Sequence, residues 1–161
     1  MRNTSLFLLV TVLLCSCKSK DAFNFSEDLV KIERNVSESI TRVQPLVIRY
    51  IEVGQMDSLQ ELGNFMLKKI DSSMTEVKQL PSGNIKQGQE FRNAALDFFG
   101  YVRSVYAAYT DYSKQENDSL RAEVIMRMSR LENGVDSVVR EMQQAQLRFA
   151  KANGFKLEES R

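Results

Sequence analysis

Residues 118–155 read DSLRAEVIMRMSRLENGVDSVVREMQQAQLRFAKANGF. Within them Leu120, Val124, Met128, Leu131, Val135, Val138, Met142, Ala145, Phe149 and Ala152 advance 32 residues in nine steps. That is about 3.6 residues per step, so one face of a long helix is apolar. Such a stripe has to be covered, and its period suits left-handed helix packing at a shallow angle. Gly134 lies inside the stretch and costs about 1 kcal/mol relative to alanine in a helix interior. Asn153-Gly154-Phe155 closes it with a Schellman-type signal, which lets Phe155 fold back onto Phe149 or Ala150.

Three more helices read upstream. The first begins near Ser26, where Ser26-Glu27-Asp28 offers a cap and two acids to the positive end of the dipole. Its stripe is Phe25, Leu29, Ile32, Val36, Ile40, Val43, Val47 and Ile51. Pro45 interrupts that pattern and removes a bond to the Thr41 carbonyl, which predicts a kink or a break into two helices. Gly54 marks its end.

The second helix opens at Met56-Asp57-Ser58, with Ser58 and Glu61 spaced as a capping box. It carries Leu59, Leu62, Met66, Ile70, Ser73 or Met74, and Val77. Leu80-Pro81-Ser82-Gly83-Asn84 stops it with a strong loop signal. The third runs from about Gln87 to Tyr112 with Phe91, Ala95, Phe98, Val102, Val105, Tyr109 and Tyr112 in near-heptad register. Phe99, Tyr101 and Tyr106 widen its face. The fold class expected is all-α, an antiparallel up-down four-helix bundle over residues 25–157.

The opening of the chain says where this domain is held. Arg2 supplies a positive n-region, and Leu6 to Leu14 form an apolar run of nine residues. As a helix that run rises only about 14 Å, too short to span a bilayer. It has the proportions of a secretory signal peptide. Leu14-Cys15-Ser16-Cys17 then fits a bacterial lipoprotein signal with Cys17 as the lipid acceptor, because Ser16 is small. Cys15 fits poorly, since Leu14 would stand where a small residue is needed. Residues 1–16 are therefore expected to be removed and residues 17–24 to form the lipidated cysteine and a short tether. The Cys17 thiolate would carry a diacylglycerol as a thioether, and the freed amine a further chain such as palmitate. At about 0.8 kcal/mol per buried methylene, several chains anchor the protein firmly.

Composition narrows function by exclusion. Removing residues 1–16 takes Arg2 and no acid, which leaves 21 basic against 21 acidic residues. That balance gives no case for nucleic acid. Both cysteines lie at or before the lipid site, so no disulfide staples the domain. The chain holds no histidine, which removes Ser-His-Asp and Cys-His nucleophile systems, common zinc sites and Glu-x-x-His di-iron ligands. The glycines near Gly54, Gly83 and Gly88 carry no phosphate-loop pattern. No cofactor or metal is implied, and a non-enzyme is the expectation.

Glu90-Phe91-Arg92-Asn93-Ala94-Ala95-Leu96-Asp97-Phe98-Phe99 resembles the third helix of a family of uncharacterised bacterial surface lipoproteins. Ala145-Gln146-Leu147-Arg148-Phe149-Ala150-Lys151, followed by Phe155-Lys156-Leu157-Glu158, resembles that family's C-terminus. Gly154 departs from it, since a bulkier polar residue would be expected there. The resemblance implies a lipid-anchored helical surface or envelope protein and brings no functional residues with it.

The favoured reading is a non-catalytic module, lipid-anchored in the bacterial cell envelope, most naturally at the outer membrane, facing the periplasm or the outside. It would bind a protein or other envelope partner. Two other readings fit the same residues: a carrier of a small apolar ligand or lipid inside the bundle, and an enzyme using carboxylate or tyrosine chemistry. The aromatic third helix reads as core packing, with Tyr101 at the stripe's edge as the candidate exposed contact. Glu38, Glu61, Asp97, Glu132 and Asp136 read as solvated faces, and Met66, Met128 and Met142 as core. Asp-Ser-Leu or Asp-Ser-Val triplets at Ser58, Ser119 and Ser137 resemble a short O-glycosylation pattern. Two of them are equally good helix starts.

Overall fold

A computed structural model describes residues 12–13 and 20–157. Four helices account for nearly all of them: α1 (Lys20–Glu52), α2 (Met56–Gln79), α3 (Gly88–Lys114) and α4 (Asp118–Asn153). Two short strands, β1 (Val12–Leu13) and β2 (Lys156–Leu157), pair antiparallel, with Val12 opposite Leu157. Removal of a signal peptide at 1–16 would take this pairing with it. Cys17, Ser16 and the rest of the expected signal lie outside the described residues.

The helix α1 starts at Lys20, six residues before the expected cap. Ala22 is wholly buried beside Phe25, so the apolar stripe extends one step further toward the N-terminus. Ser26 is interior to the helix, and its hydroxyl donates to the Phe23 carbonyl at 3.0 Å. Residues 20–24, expected as tether, are thus the first turn of α1. Pro45 does not break the helix. It stands on the solvent side, where the Thr41 carbonyl it leaves unbonded is open to water. Gly54 turns the chain at φ 71°, and the Gln55 N–H returns to the Tyr50 carbonyl at 2.9 Å.

At α2 the expected capping box does not form. The helix starts at Met56 after Gln55, which makes no side-chain cap, and Ser58 lies inside the first turn. Three residues, 53–55, separate α1 from α2, and so short a turn leaves little room for a separate cap. The α2–α3 connection holds itself together with polar contacts. Arg92 donates to the Leu80 carbonyl at 3.1 Å, and the buried Ser82 hydroxyl donates to Gln89 at 3.2 Å. Asn117 caps α4 by accepting the Ser119 N–H at 2.7 Å. At the far end Gly154 adopts φ 74°, the Phe155 N–H reaches the Ala150 carbonyl at 2.9 Å, and the Phe155 ring sits 5.9 Å from that of Phe149.

The core runs through all four helices, with Phe25, Leu29, Val36 and Val47 from α1 and Leu59, Met66, Ile70 and Val77 from α2. Helix α3 adds Phe91, Phe98, Phe99, Val102 and Tyr106, and α4 adds Met142, Ala145 and Phe149. Where α2 crosses α3 the spacing is set by a glycine. A Cβ at Gly63 would collide with the Thr110 hydroxyl. Helix α1 packs mainly on α2, α2 on α3, and α3 on α4.

Candidate functional groove

The long stripe of α4 has two fates. Its C-terminal half is buried, and Phe149 packs against Phe25 at 5.6 Å and Phe91 at 5.1 Å. Those contacts tie α4 to α1 and α3 together. In its N-terminal half only Val124 is buried, Leu131 and Val135 are half-buried and Leu120 is exposed, and beside the stripe Ile125 and Met126 are exposed. Met128 is half-buried rather than core. The expectation of a uniformly covered stripe fails here: Phe25 of α1 packs on the C-terminal half, while at the groove beside the N-terminal half α1 contributes Gln44 at the edge.

The uncovered half borders a groove of about 380 Å³. Its floor is the α3 ridge Tyr101, Val105 and Tyr109, one wall is Ile125, Met128, Glu132 and Val135 of α4, and Gln44 of α1 reaches its edge. These α3 residues are four apart, so they line up along one side of the helix. The stripe of α3 therefore divides, with Tyr106 in the core and Tyr101, Val105 and Tyr109 on the groove.

Tyr101 is half-buried rather than free on the surface, and its hydroxyl donates to the Leu131 carbonyl at 2.6 Å. Desolvation raises its pKa above the ordinary tyrosine value, reinforced by the negative charges of Glu132 and Asp136 and by Tyr109. Glu132 and Asp136 are exposed, as their reading on a solvated face expects, and Glu132 also lines the groove. Among the described residues neither joins an ion pair. Gly134 lies alongside, where an added Cβ would meet the Tyr101 ring at 4.0 Å.

Other candidates do not converge. Glu61 and Asp97 stand on α2 and α3 away from this groove, and Glu38 is exposed on α1. Ser58 and Ser119 lie in first turns and Ser137 in mid-α4, its hydroxyl donating to Glu141 at 3.2 Å. Near the Phe25–Phe91–Phe149 cluster the residual space is only about 10 Å³, less than a small ligand needs. Among the described residues no His, Cys, Asp or Glu group is arranged to hold a metal, and no helix is long and apolar enough to cross a membrane.

Sequence reasoning missed the groove because each helix shows its stripe and none shows which part its neighbours leave open. The 101–105–109 spacing was the available signal.

Among the described residues the molecule is an all-helical protein of four packed helices, with this largely apolar groove and a second, more polar one of similar size lined by Glu90, Asp97, Glu141 and Arg148. Comparison with protein-family profiles, with curated proteins and with solved structures finds no match.

Proposed function

We propose that this chain is a non-catalytic, lipid-anchored protein of the bacterial cell envelope or surface that docks a macromolecular partner. In this reading Cys17 carries the lipid, and the four helices form an up-down antiparallel bundle standing on the membrane. The antiparallel order is supported by paired contacts that run in opposite directions. Gly63 meets Thr110 and Asp71 meets Arg103 at 2.7 Å, while Leu80 meets Arg92. Between α3 and α4, Asp111 meets Arg127 at 2.6 Å and Phe91 meets Phe149.

One observation carries the docking reading. Among the described residues Leu46, Ile48, Val53, Leu120, Ile125 and Met126 are large, apolar and exposed and lie toward the C-terminal end of α1 or the N-terminal end of α4, whereas the exposed Phe65 and Leu147 lie elsewhere. In an up-down bundle those ends coincide, opposite the N-terminal end of α1. Clustered apolar surface of that kind marks interaction sites. A helix that begins three residues after the lipidated cysteine would hold that end away from the bilayer.

The test is photo-crosslinking in intact envelopes from a probe at Ile48, with a probe at Leu147, near the anchor, for comparison. A discrete adduct from Ile48 that Met126→Glu abolishes is expected. Absence of any adduct from Ile48, or equal yield from Leu147, would sink the docking reading. Separately, Cys17→Ser should abolish incorporation of a palmitate analogue and release the protein from membranes. Protease treatment of intact cells then reports which side of the membrane it faces.

A further inference from the structure

We infer that the groove between α3 and α4 binds a small amphiphilic amine, its ammonium held by Glu132 and the Tyr101 ring and its apolar chain lying along Val105 and Met128 toward Tyr109. This inference is independent of macromolecular docking at the bundle end.

Size and shape come first. The groove holds about 380 Å³, within the usual range for small-molecule sites. Tyr101 and Tyr109 are eight residues apart on α3, which makes its floor about 12 Å long. An elongated ligand of several carbons fits that outline, and a large rigid one does not. Apolar side chains from both helices line most of it, so a hydrocarbon chain gains free energy by leaving water.

Charge then selects the head group. Glu132 lines the groove, and none of the described residues lining it is basic. Asp136, one turn further along α4, adds a second negative charge near Tyr101. Neither acid is neutralised by an ion pair among the described residues. An anionic head would meet repulsion there. An ammonium at Glu132 gains a carboxylate partner and the neighbouring Tyr101 ring, the ring worth about 0.5–1 kcal/mol at an exposed site. The Tyr101 hydroxyl is committed to the Leu131 carbonyl, so that ring is already positioned before any ligand arrives.

The experiment compares hexylammonium, hexanoate and hexanol, which share a chain and differ in head charge. The protein is the full chain as the unacylated Cys17→Ser variant, observed through the methionine methyl NMR signals. Hexylammonium should shift the Met128 methyl and bind about fivefold tighter than hexanoate, the equivalent of one partly exposed charge pair. Glu132→Gln should erase most of that preference. Glu141→Gln, at a residue lining a separate groove, should leave it unchanged. The inference is overturned if hexanoate or hexanol binds as tightly as hexylammonium, if Met128 does not respond, or if Glu132→Gln keeps the preference. Failure here leaves the crosslinking result at Ile48 untouched, so the two readings stand or fall separately.

Discussion

Replacing Phe149 by alanine tests the claim that one aromatic cluster holds α4 onto the rest of the molecule. Phe149 is 2% exposed and has three ring neighbours, Phe91 of α3 at 5.1 Å, Phe25 of α1 at 5.6 Å and Phe155 in the turn after α4 at 5.9 Å. Phe→Ala in a packed core costs about 3–5 kcal/mol, the transfer term plus the cavity left behind. The surroundings cannot collapse easily, because two of the neighbouring rings are fixed on separate helices, α1 and α3. The upper part of that range is therefore expected. For a chain of this size each kcal/mol moves Tm by about 2–4 °C, so the melting point should fall by about 8–20 °C. Helical circular dichroism against temperature and urea measures this. Leu147→Ala, two residues away and 56% exposed, should change stability by no more than about 0.5 kcal/mol. A loss below about 1.5 kcal/mol at Phe149, or equal losses at both positions, would refute the cluster as the tie.

Gly63→Ala should destabilise by about 1–2 kcal/mol despite its helix-propensity gain, because the new Cβ meets the Thr110 hydroxyl; adding Thr110→Ala should recover most of the loss in a double-mutant cycle. Tyr106→Phe should be neutral or stabilise by up to about 2 kcal/mol in urea titration, since the buried Tyr106 hydroxyl has no hydrogen-bond partner among the described residues. Desolvation raises the Glu33 pKa above its ordinary 4.5, and the hydrogen bond from Ser37 and the charge of Arg34 offset it only in part. The folded state thus holds that proton more tightly than the unfolded chain, so stability falls as pH rises from about 4.5 through the raised value. Glu33→Gln should therefore stabilise the protein at pH 7 and lose that advantage below pH 4, as read by thermal melts across pH.

Much of the fold was legible because the helical period survives individual exceptions. The stripes from Phe25 to Ile51 and from Leu59 to Val77 lie on buried or half-buried positions. Phe155 folds onto Phe149 as its Schellman signal implies. Helix starts were less legible, since several polar residues near a start can serve as caps. Ser26 and Ser58 have the right chemistry, yet Ala22 and Met56 show that the apolar face had already begun. Pro45 misled in another way. Its cost depends on whether the freed carbonyl meets water, and that is decided by which face tertiary packing covers. The groove depends on the same kind of information. Val105, Tyr109 and Met128 look like core residues on their own helices, and only the path of α1 relative to α4 leaves them at an opening.

The two halves of α4 are held by different physics, and that difference bears on function. Its C-terminal half is fixed by buried rings and by Asn153, which donates to the Lys86 carbonyl at 2.8 Å. Its N-terminal half is held on α3 by the Tyr101–Leu131 bond, the exposed Arg127–Asp111 pair and Arg121 over Tyr112 at 5.9 Å. Exposed ion pairs contribute about 0–1 kcal/mol and cation–π contacts about 0.5–1 kcal/mol. Local opening should therefore cost far less between Arg121 and Arg130 than between Gln146 and Asn153. Amide hydrogen exchange should show protection rising along α4 from its N-terminal to its C-terminal half. Uniform protection would mean that the groove wall is as rigid as the core. A gradient would give the exposed apolar residues Ile125 and Met126 the freedom to adjust to a partner, while the aromatic cluster keeps the helix in place.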